Sequence, residues 1–260
     1  ARIATHVTAQ GVVKGESVAV MHPNGRSGVI ALFGLLYGGF RATMINLAAG
    51  QEAITYALKH SEARFAFVHD QAEALFQTSA QKIKKLYLDD SQTASLHDVS
   101  TTDHALLMYT SGTTGRPKGV VHTHASLLAG GWTPTLAHNL TEVDRGYCVL
   151  PIYHINGLCV TVMGTLIAGG SLVMVPKFSA SKFWNHIEET GATWFSVVPT
   201  IISHLLHGKA TPRAHKLRFG RSASSALAPK TQMLFEKRFK VPIIETMGLT
   251  ETAAQMLSNP

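Results

Sequence analysis

The chain has 260 residues, 45% hydrophobic and only 15% charged, with 22 glycines and 10 prolines; such a chain buries a substantial core, which excludes disordered, collagen-like and low-complexity proteins. Basic residues outnumber acidic ones 23 to 16, a net charge of +7 with 14 histidines neutral. They are scattered, and the densest run, Lys82-Ile83-Lys84-Lys85, has no interleaved aromatic residue, so a small anionic ligand is expected and nucleic acid is not.

The N-terminus has neither the apolar core of a secretory leader nor an initiator Met, which reads as a chain processed or cut from a longer one. Apolar runs of strand length follow at residues 64–68, 85–88, 105–109, 147–150, 171–175, 193–197, 217–221 and 241–245. Helical patterns occupy 28–37, 51–60, 126–137, 158–168, 181–190, 200–207 and 229–239. The strand runs are continuous and not alternating, as strands covered on both faces require. An α/β fold of largely parallel sheets flanked by helices is predicted. Ser179-Ala180-Ser181-Lys182 reads as a helix cap and Gly191 as a left-handed helix end. The uncharged stretch 155–175 has the length of a membrane span, but Gly169-Gly170 divides it, and a buried helix followed by a strand is expected there. The polar segment 89–103 is the expected connection between a first α/β part, residues 1–100, and a second, residues 101–260. Cys148 and Cys159 form no CxxC pattern, which fits a reducing cytoplasm.

Chemistry concentrates after the run 105–109. Thr110-Ser111-Gly112-Thr113-Thr114-Gly115-Arg116-Pro117-Lys118-Gly119 carries hydroxyls, glycines and two cations in ten residues. Glycine lets successive backbone N–H groups turn toward an anion, hydroxyls add neutral donors, and Lys118 adds a mobile charge. The spacing is not that of a P-loop, since Gly119 follows the lysine where Ser or Thr would hold magnesium. Composition alone leaves a plain Gly/Thr surface loop as the competing reading.

Residues 109–119, YTSGTTGRPKG, resemble the phosphate-binding signature of the adenylate-forming superfamily: acyl-CoA ligases, luciferases and peptide-synthetase adenylation domains. Leu150-Pro151-Ile152-Tyr153-His154-Ile155-Asn156-Gly157 is similar to the PLFH-x-x-G segment of that superfamily, and Glu245-Thr246-Met247-Gly248-Leu249-Thr250-Glu251 to its YG-x-TE segment. The resemblance spans essentially the whole chain. Phe178-Ser179-Ala180-Ser181, Ala192-Thr193-Trp194, Arg221-Ser222-Ala223-Ser224-Ser225-Ala226 and the closing Ser258-Asn259-Pro260 look like the oxalate–CoA ligase branch.

The resemblance implies the large N-terminal domain of an enzyme that joins ATP and a carboxylic acid into an acyl-adenylate, then transfers the acyl group to CoA. It places Thr110, Ser111, Gly112, Thr113, Thr114, Gly115 and Lys118 on the ATP phosphates, Thr250 on the α-phosphate and Glu251 on Mg2+. Ser224, Ser225, Glu245, Thr246 and Met247 fall at the nucleotide, and His154, Asn156 and Ser222 at the acid. Lys118, His154 and Thr250 would form the catalytic group. Two departures occur: Ala223 and Ala226 replace a glycine and a proline, and Met247 replaces an aromatic residue that covers adenine. An amide at Asn156 suits a short polar acid, unless it points away from the pocket. His122 and His124 are expected to be structural. The family's C-terminal domain, with its catalytic lysine, is absent from residues 1–260, so the fragment is expected to adenylate poorly. Rival readings are a fatty or aryl acyl-CoA ligase, a domain that loads a carrier protein, and a non-enzymatic ATP-binding remnant.

Overall fold

The computed structural model describes residues 1–80, 82–88, 95–110 and 117–259, and the chain divides into two compact units, Ala1–Leu127 and Leu128–Pro260.

The first unit runs α1 (Arg2–Ala9), β1 (Ser17–Met21), α2 (Arg26–Tyr37), β2 (Arg41–Met44), α3 (Gln51–His60), β3 (Phe65–Val68), α4 (Glu73–Ser79), β4 (Lys84–Leu86), β5 (His104–Thr110) and β6 (Lys118–Thr123). Its six-stranded sheet has the order β4-β3-β1-β2-β5-β6. The pairs β1–β2, β1–β3, β3–β4 and β2–β5 are parallel, and β6 is antiparallel to β5. Every residue of β1 and β3 is buried, as expected of continuous apolar strands covered on both faces. Ala19, Met21, Ala66 and Val68 form a core with Ile54, Leu58 and Phe76 from the helices.

The second unit opens within α5 (His124–Ala137). It continues with β7 (Arg145–Cys148), a π-helix (Asn156–Met163), α6 (Gly164–Ile167), β8 (Ser171–Met174), α7 (Phe183–Thr190), β9 (Trp194–Val197), α8 (Pro199–His207), β10 (Phe219–Ser222), α9 (Pro229–Phe239), β11 (Ile243–Leu249) and β12 (Ala254–Ser258). The sheet order is β12-β11-β10-β9-β7-β8, parallel except for β12 on β11. Helix α7 buries Phe183, Trp184 and Ile187 on one stripe, where they meet Phe195, Phe235 and Phe239. Pro199 and Pro229 begin α8 and α9, positions where a missing N–H is harmless.

The fold is α/β with two largely parallel sheets flanked by helices. Gly191 ends α7 at φ 64°, as the sequence predicts. The cap does not form as expected: the helix starts at Phe183, and Lys182 precedes it without a side-chain cap bond. The stretch 155–175 is a buried π-helix, α6 and β8, and among the described residues no helix is long and apolar enough to cross a membrane. The division at 127/128 lies beyond the expected 100/101. Strand β5 extends the first sheet beside β2, with Ala42 opposite Leu106, and β6 folds back on β5. Residues 89–103 therefore join strands of one sheet, and the flanks of the signature 109–119 belong to the first unit.

Candidate functional site

In each unit one motif flanks the step from the last parallel strand to the antiparallel edge strand, and the second unit carries two more, after β7 and after β10. In the first unit, Thr110 ends β5 and Lys118 begins β6, directly opposite each other in register. Tyr109 anchors this end of β5: its hydroxyl donates to Ala57 O at 3.1 Å and lies 3.0 Å from His60 Nδ1. Lys118 is exposed. Ser111, Gly112, Thr113, Thr114 and Gly115 lie outside the described residues. His122 is buried, with Nδ1 3.3 Å from Ser126 Oγ. Among the described residues no cluster of three His, Cys, Asp or Glu side chains could hold a metal ion.

In the second unit the strand order reverses about β7, since β8 lies on one side of it and β9 on the other. Ligands of open α/β sheets bind outside the carboxyl ends of strands at such a switch point. The chain leaving β7 there turns at residues 151–154, where His154 N donates to Pro151 O at 3.1 Å. It enters the π-helix at Asn156. A Cβ on Gly157 would stand 2.4 Å from Pro151 O and 2.8 Å from Leu150 O, so only glycine lets the helix start this close to its own approach. π-Helices are rare and concentrate at functional sites. His154 is exposed on one side and packs its ring 4.9 Å from Tyr153; partial burial lowers its pKa below the ordinary histidine value. A neutral imidazole at pH 7 suits an orienting group, since a carboxylic acid substrate is already ionised.

Asn156 turns inward. Its Oδ1 accepts from Ser196 Oγ at 3.0 Å and from Arg221 Nη1 at 2.9 Å, while its buried Nδ2 has no partner among the described residues. Arg221 also donates from Nη1 to Ser196 Oγ at 3.0 Å and from Nε to Gln255 Oε1 at 3.0 Å. His138 Nε2 lies 3.1 Å from the same Gln255 oxygen, which makes the histidine the donor. Burial first, and the Arg221 charge second, push His138 down to about 4, so it stays neutral. The sequence assigns no site role to Arg221, Ser196, Gln255 or His138. The available signal is the pair of arginines, Arg218 and Arg221, in the strand run 217–221, which a strand covered on both faces tolerates only with a reason.

The remaining predicted residues end or follow β10, lie within β11 or follow it, and the two strands are neighbours. Ser222 ends β10, fully buried, its Oγ without a partner among the described residues and its carbonyl accepting from Thr246 Oγ1 at 3.4 Å. Ser224 and Ser225 are exposed. Ser224 holds φ +78°, a left-handed conformation that a side chain resists. Glu245 accepts the Leu227 N–H at 2.7 Å, tying the segment after β10 to β11. Met247 is 53% exposed, leaving its side chain open to a planar ligand. Thr250 and Glu251 lie on the 3-10 turn Thr250–Thr252, with Glu251 exposed. Behind them Ala253 and Ala254 take φ +54° and +100°. A Cβ on Gly248 would come within 1.8 Å of Ala254 O, so that glycine is what lets the hairpin close. Backbone strain of this kind clusters at ligand sites. Ser224→Gly removes it and is expected to raise stability by about 0.5–1 kcal/mol, the left-handed penalty less the entropy glycine costs; a urea midpoint measures it, and a lower midpoint would show that the serine side chain compensates.

The AMP-binding enzyme family model matches residues 1–260. A sulfoacetate–CoA ligase of Cupriavidus necator is 40% identical over 268 residues, covering 97% of this chain and 53% of that protein. An oxalate–CoA ligase of Arabidopsis thaliana is 32% identical over 278 residues, covering 98% and 54%. The crystal structure of ATP-bound MatB from Rhodopseudomonas palustris superposes with a TM-score of 0.88 at 25% identity, covering 100% of this chain and 54% of that one. The chain thus spans about half the length of the curated relatives it matches. With a family match over its full length and relatives of this identity, the chain belongs to the AMP-binding enzymes, in the adenylate-forming acyl-CoA ligase family.

Proposed function

We propose that this chain supplies the ATP- and acid-binding part of an AMP-forming acid–CoA ligase acting on a short polar carboxylic acid. The observation that carries the reading is the common placement of its motifs: each follows the carboxyl end of a parallel strand, the flanks of 109–119 on β5 and β6, His154 and Asn156 after β7, Ser222 to Ser225 after β10, and Thr250 and Glu251 after β11. In the reaction a carboxylate oxygen attacks the α-phosphorus of ATP and pyrophosphate leaves. The CoA sulfur then attacks the acyl carbon and AMP leaves. Positioning and charge stabilisation dominate such a displacement.

Lys118 and the hydroxyls of Thr110, Ser111, Thr113 and Thr114 would bind the phosphates, and Thr250 would donate to the α-phosphate. Ser224, Ser225, Thr246 and Met247 would hold the nucleotide, with Glu245 fixing their backbone. His154 would orient the acid. The single exposed carboxylate of Glu251 fits Mg2+, which takes one or two protein oxygens and completes its shell with phosphate and water. Bound there, the ion would supply positive charge to the phosphates. Asn156 and Arg221 would make the acid site polar, which favours a short polar acid over an apolar chain. Two buried free thiols, Cys148 and Cys159, accord with a reducing cytoplasm.

AMP release from the protein as encoded, with CoA, ATP and a panel of acids, tests the proposal. Turnover of short polar acids is expected. Turnover of long-chain acids alone would overturn the acid class. Failure of every acid in the panel to give AMP, together with no ATP binding, would overturn the ligase reading.

A further inference from the structure

Arg221 is 1% exposed, yet among the described residues no carboxylate pairs with it. Its partners are the neutral oxygens of Asn156, Ser196 and Gln255. Burial holds its guanidinium well below the usual arginine range, at about 9, so it remains charged at neutral pH. Arg218, three residues earlier, shows the ordinary solution in the same unit: both oxygens of Asp144 accept from its Nη1, at 2.8 and 2.7 Å. A buried cation without a counter-ion is rare because nothing offsets its desolvation.

Nor do the neighbours of Arg221 require it. Asn156 Oδ1 already accepts from Ser196, and Gln255 Oε1 from His138. The surplus lies on the donor side. Arg221 Nη2 takes no partner among the described residues, and Asn156 Nδ2 is buried without one. Two donors, one of them fully charged, stand on side chains bonded to each other, two residues along the chain from His154. That arrangement matches an anion with at least two oxygens.

We propose that Arg221, with Asn156, binds a second anionic group of the acid, so that the substrate class is a short dianion: a carboxylate bearing another carboxylate or a sulfonate one or two carbons away. The inference rests on the ligase reading above and adds the charge of the substrate to it. One carboxylate would meet ATP while the remote anion sits on the guanidinium.

The test compares kcat/KM for malonate and for sulfoacetate against propionate, by AMP release from the protein as encoded. The wild type is expected to prefer both dianions by about 100-fold or more, since a buried charge left unpaired is strongly penalised. In Arg221→Met that ratio should collapse to within about tenfold, through KM, with the fold checked by circular dichroism. Asn156→Asp is the second variant. It keeps the arginine but gives it an internal carboxylate, and should lose the same preference even if Arg221→Met fails to fold. A carboxylate-only or sulfonate-only preference in the wild type identifies the remote group. Retention of the dianion preference in a folded Arg221→Met or in Asn156→Asp, or equal use of propionate by the wild type, overturns the inference and leaves the ligase reading standing. AMP release with none of the acids overturns both.

Discussion

Replacing Thr113 and Lys118 together with alanine is expected to weaken ATP binding by about 3–6 kcal/mol, since each hydrogen bond to a charged phosphate contributes about 1.5–3 kcal/mol. In affinity this is roughly two to four powers of ten. The two groups would touch the same phosphates, so the lower end is the safer figure where their effects overlap. Folding should be spared. Lys118 is exposed, and its backbone, not its side chain, holds the register opposite Thr110. Calorimetric titration of ATP reads the affinity and a urea midpoint reads the fold. An unchanged affinity in the double variant would remove the phosphate-binding role from residues 109–119.

The parallel core was legible in the sequence because strands buried on both faces write themselves as unbroken apolar runs. Strands such as β3 (FAFV) and β9 (WFSV) are buried at every position. The edge strands were not. β6 reads KGVVHT and is largely open to solvent, and β12 reads AQMLS with its last three residues exposed. Neither has the run of a covered strand nor a regular alternation, and both exist because a parallel neighbour offers an unpaired edge. Missing β6 moved the expected domain boundary: the polar segment 89–103 has the composition of a linker, whereas long-range pairing of β5 with β2 decides where it lies. The π-helix was read as an ordinary helix, since its side chains carry the same apolar pattern and only the backbone bonds to Gly164 differ.

The site was legible to the extent that local motifs carry it. Thr110, His154, Ser222, Thr250 and Glu251 end or follow strands of the parallel sheets, as motif residues of such a sheet do, while Lys118 begins β6 and Glu245 lies within β11. What the sequence did not reveal was the company Asn156 keeps. Its Oδ1 meets Ser196 from β9 and Arg221 from β10, and through the arginine the network reaches Gln255 from β12. These are 40 to 99 residues from Asn156 in sequence, and their meeting depends on sheet order. Asn156 faces inward onto this network and away from bulk solvent, with 8% of its surface exposed.

Arg218→Met should lower stability and Arg221→Met should not, although the two arginines lie three residues apart. Losing Arg218 strands the carboxylate of Asp144, which is 1% exposed, and breaking a buried ion pair from one side costs about 3–5 kcal/mol. Arg218 is itself 42% exposed, so solvent already screens part of the interaction and about 3 kcal/mol is expected. Burial alone would raise the Asp144 carboxyl, but hydrogen bonds from Arg218, Thr193 Oγ1 and Thr141 N overcome it and hold the group below its ordinary value of 3.8. A carboxyl lowered on folding stabilises the protein above its unfolded pKa, and that contribution fades as pH falls through the folded value. The deficit of Arg218→Met should therefore be widest at neutral pH and close as Asp144 becomes protonated in both proteins. Arg221→Met removes a desolvated charge and leaves Asn156 Oδ1 and Gln255 Oε1 each with another donor. Substituting an apolar side chain of similar size should leave stability unchanged or raise it by about 1–4 kcal/mol. Urea denaturation of both variants at neutral and acidic pH decides the matter. A large loss in Arg221→Met would make that arginine a structural tie. A gain would mean that the fold carries a buried cation at a net cost, as expected of a residue kept for what it binds.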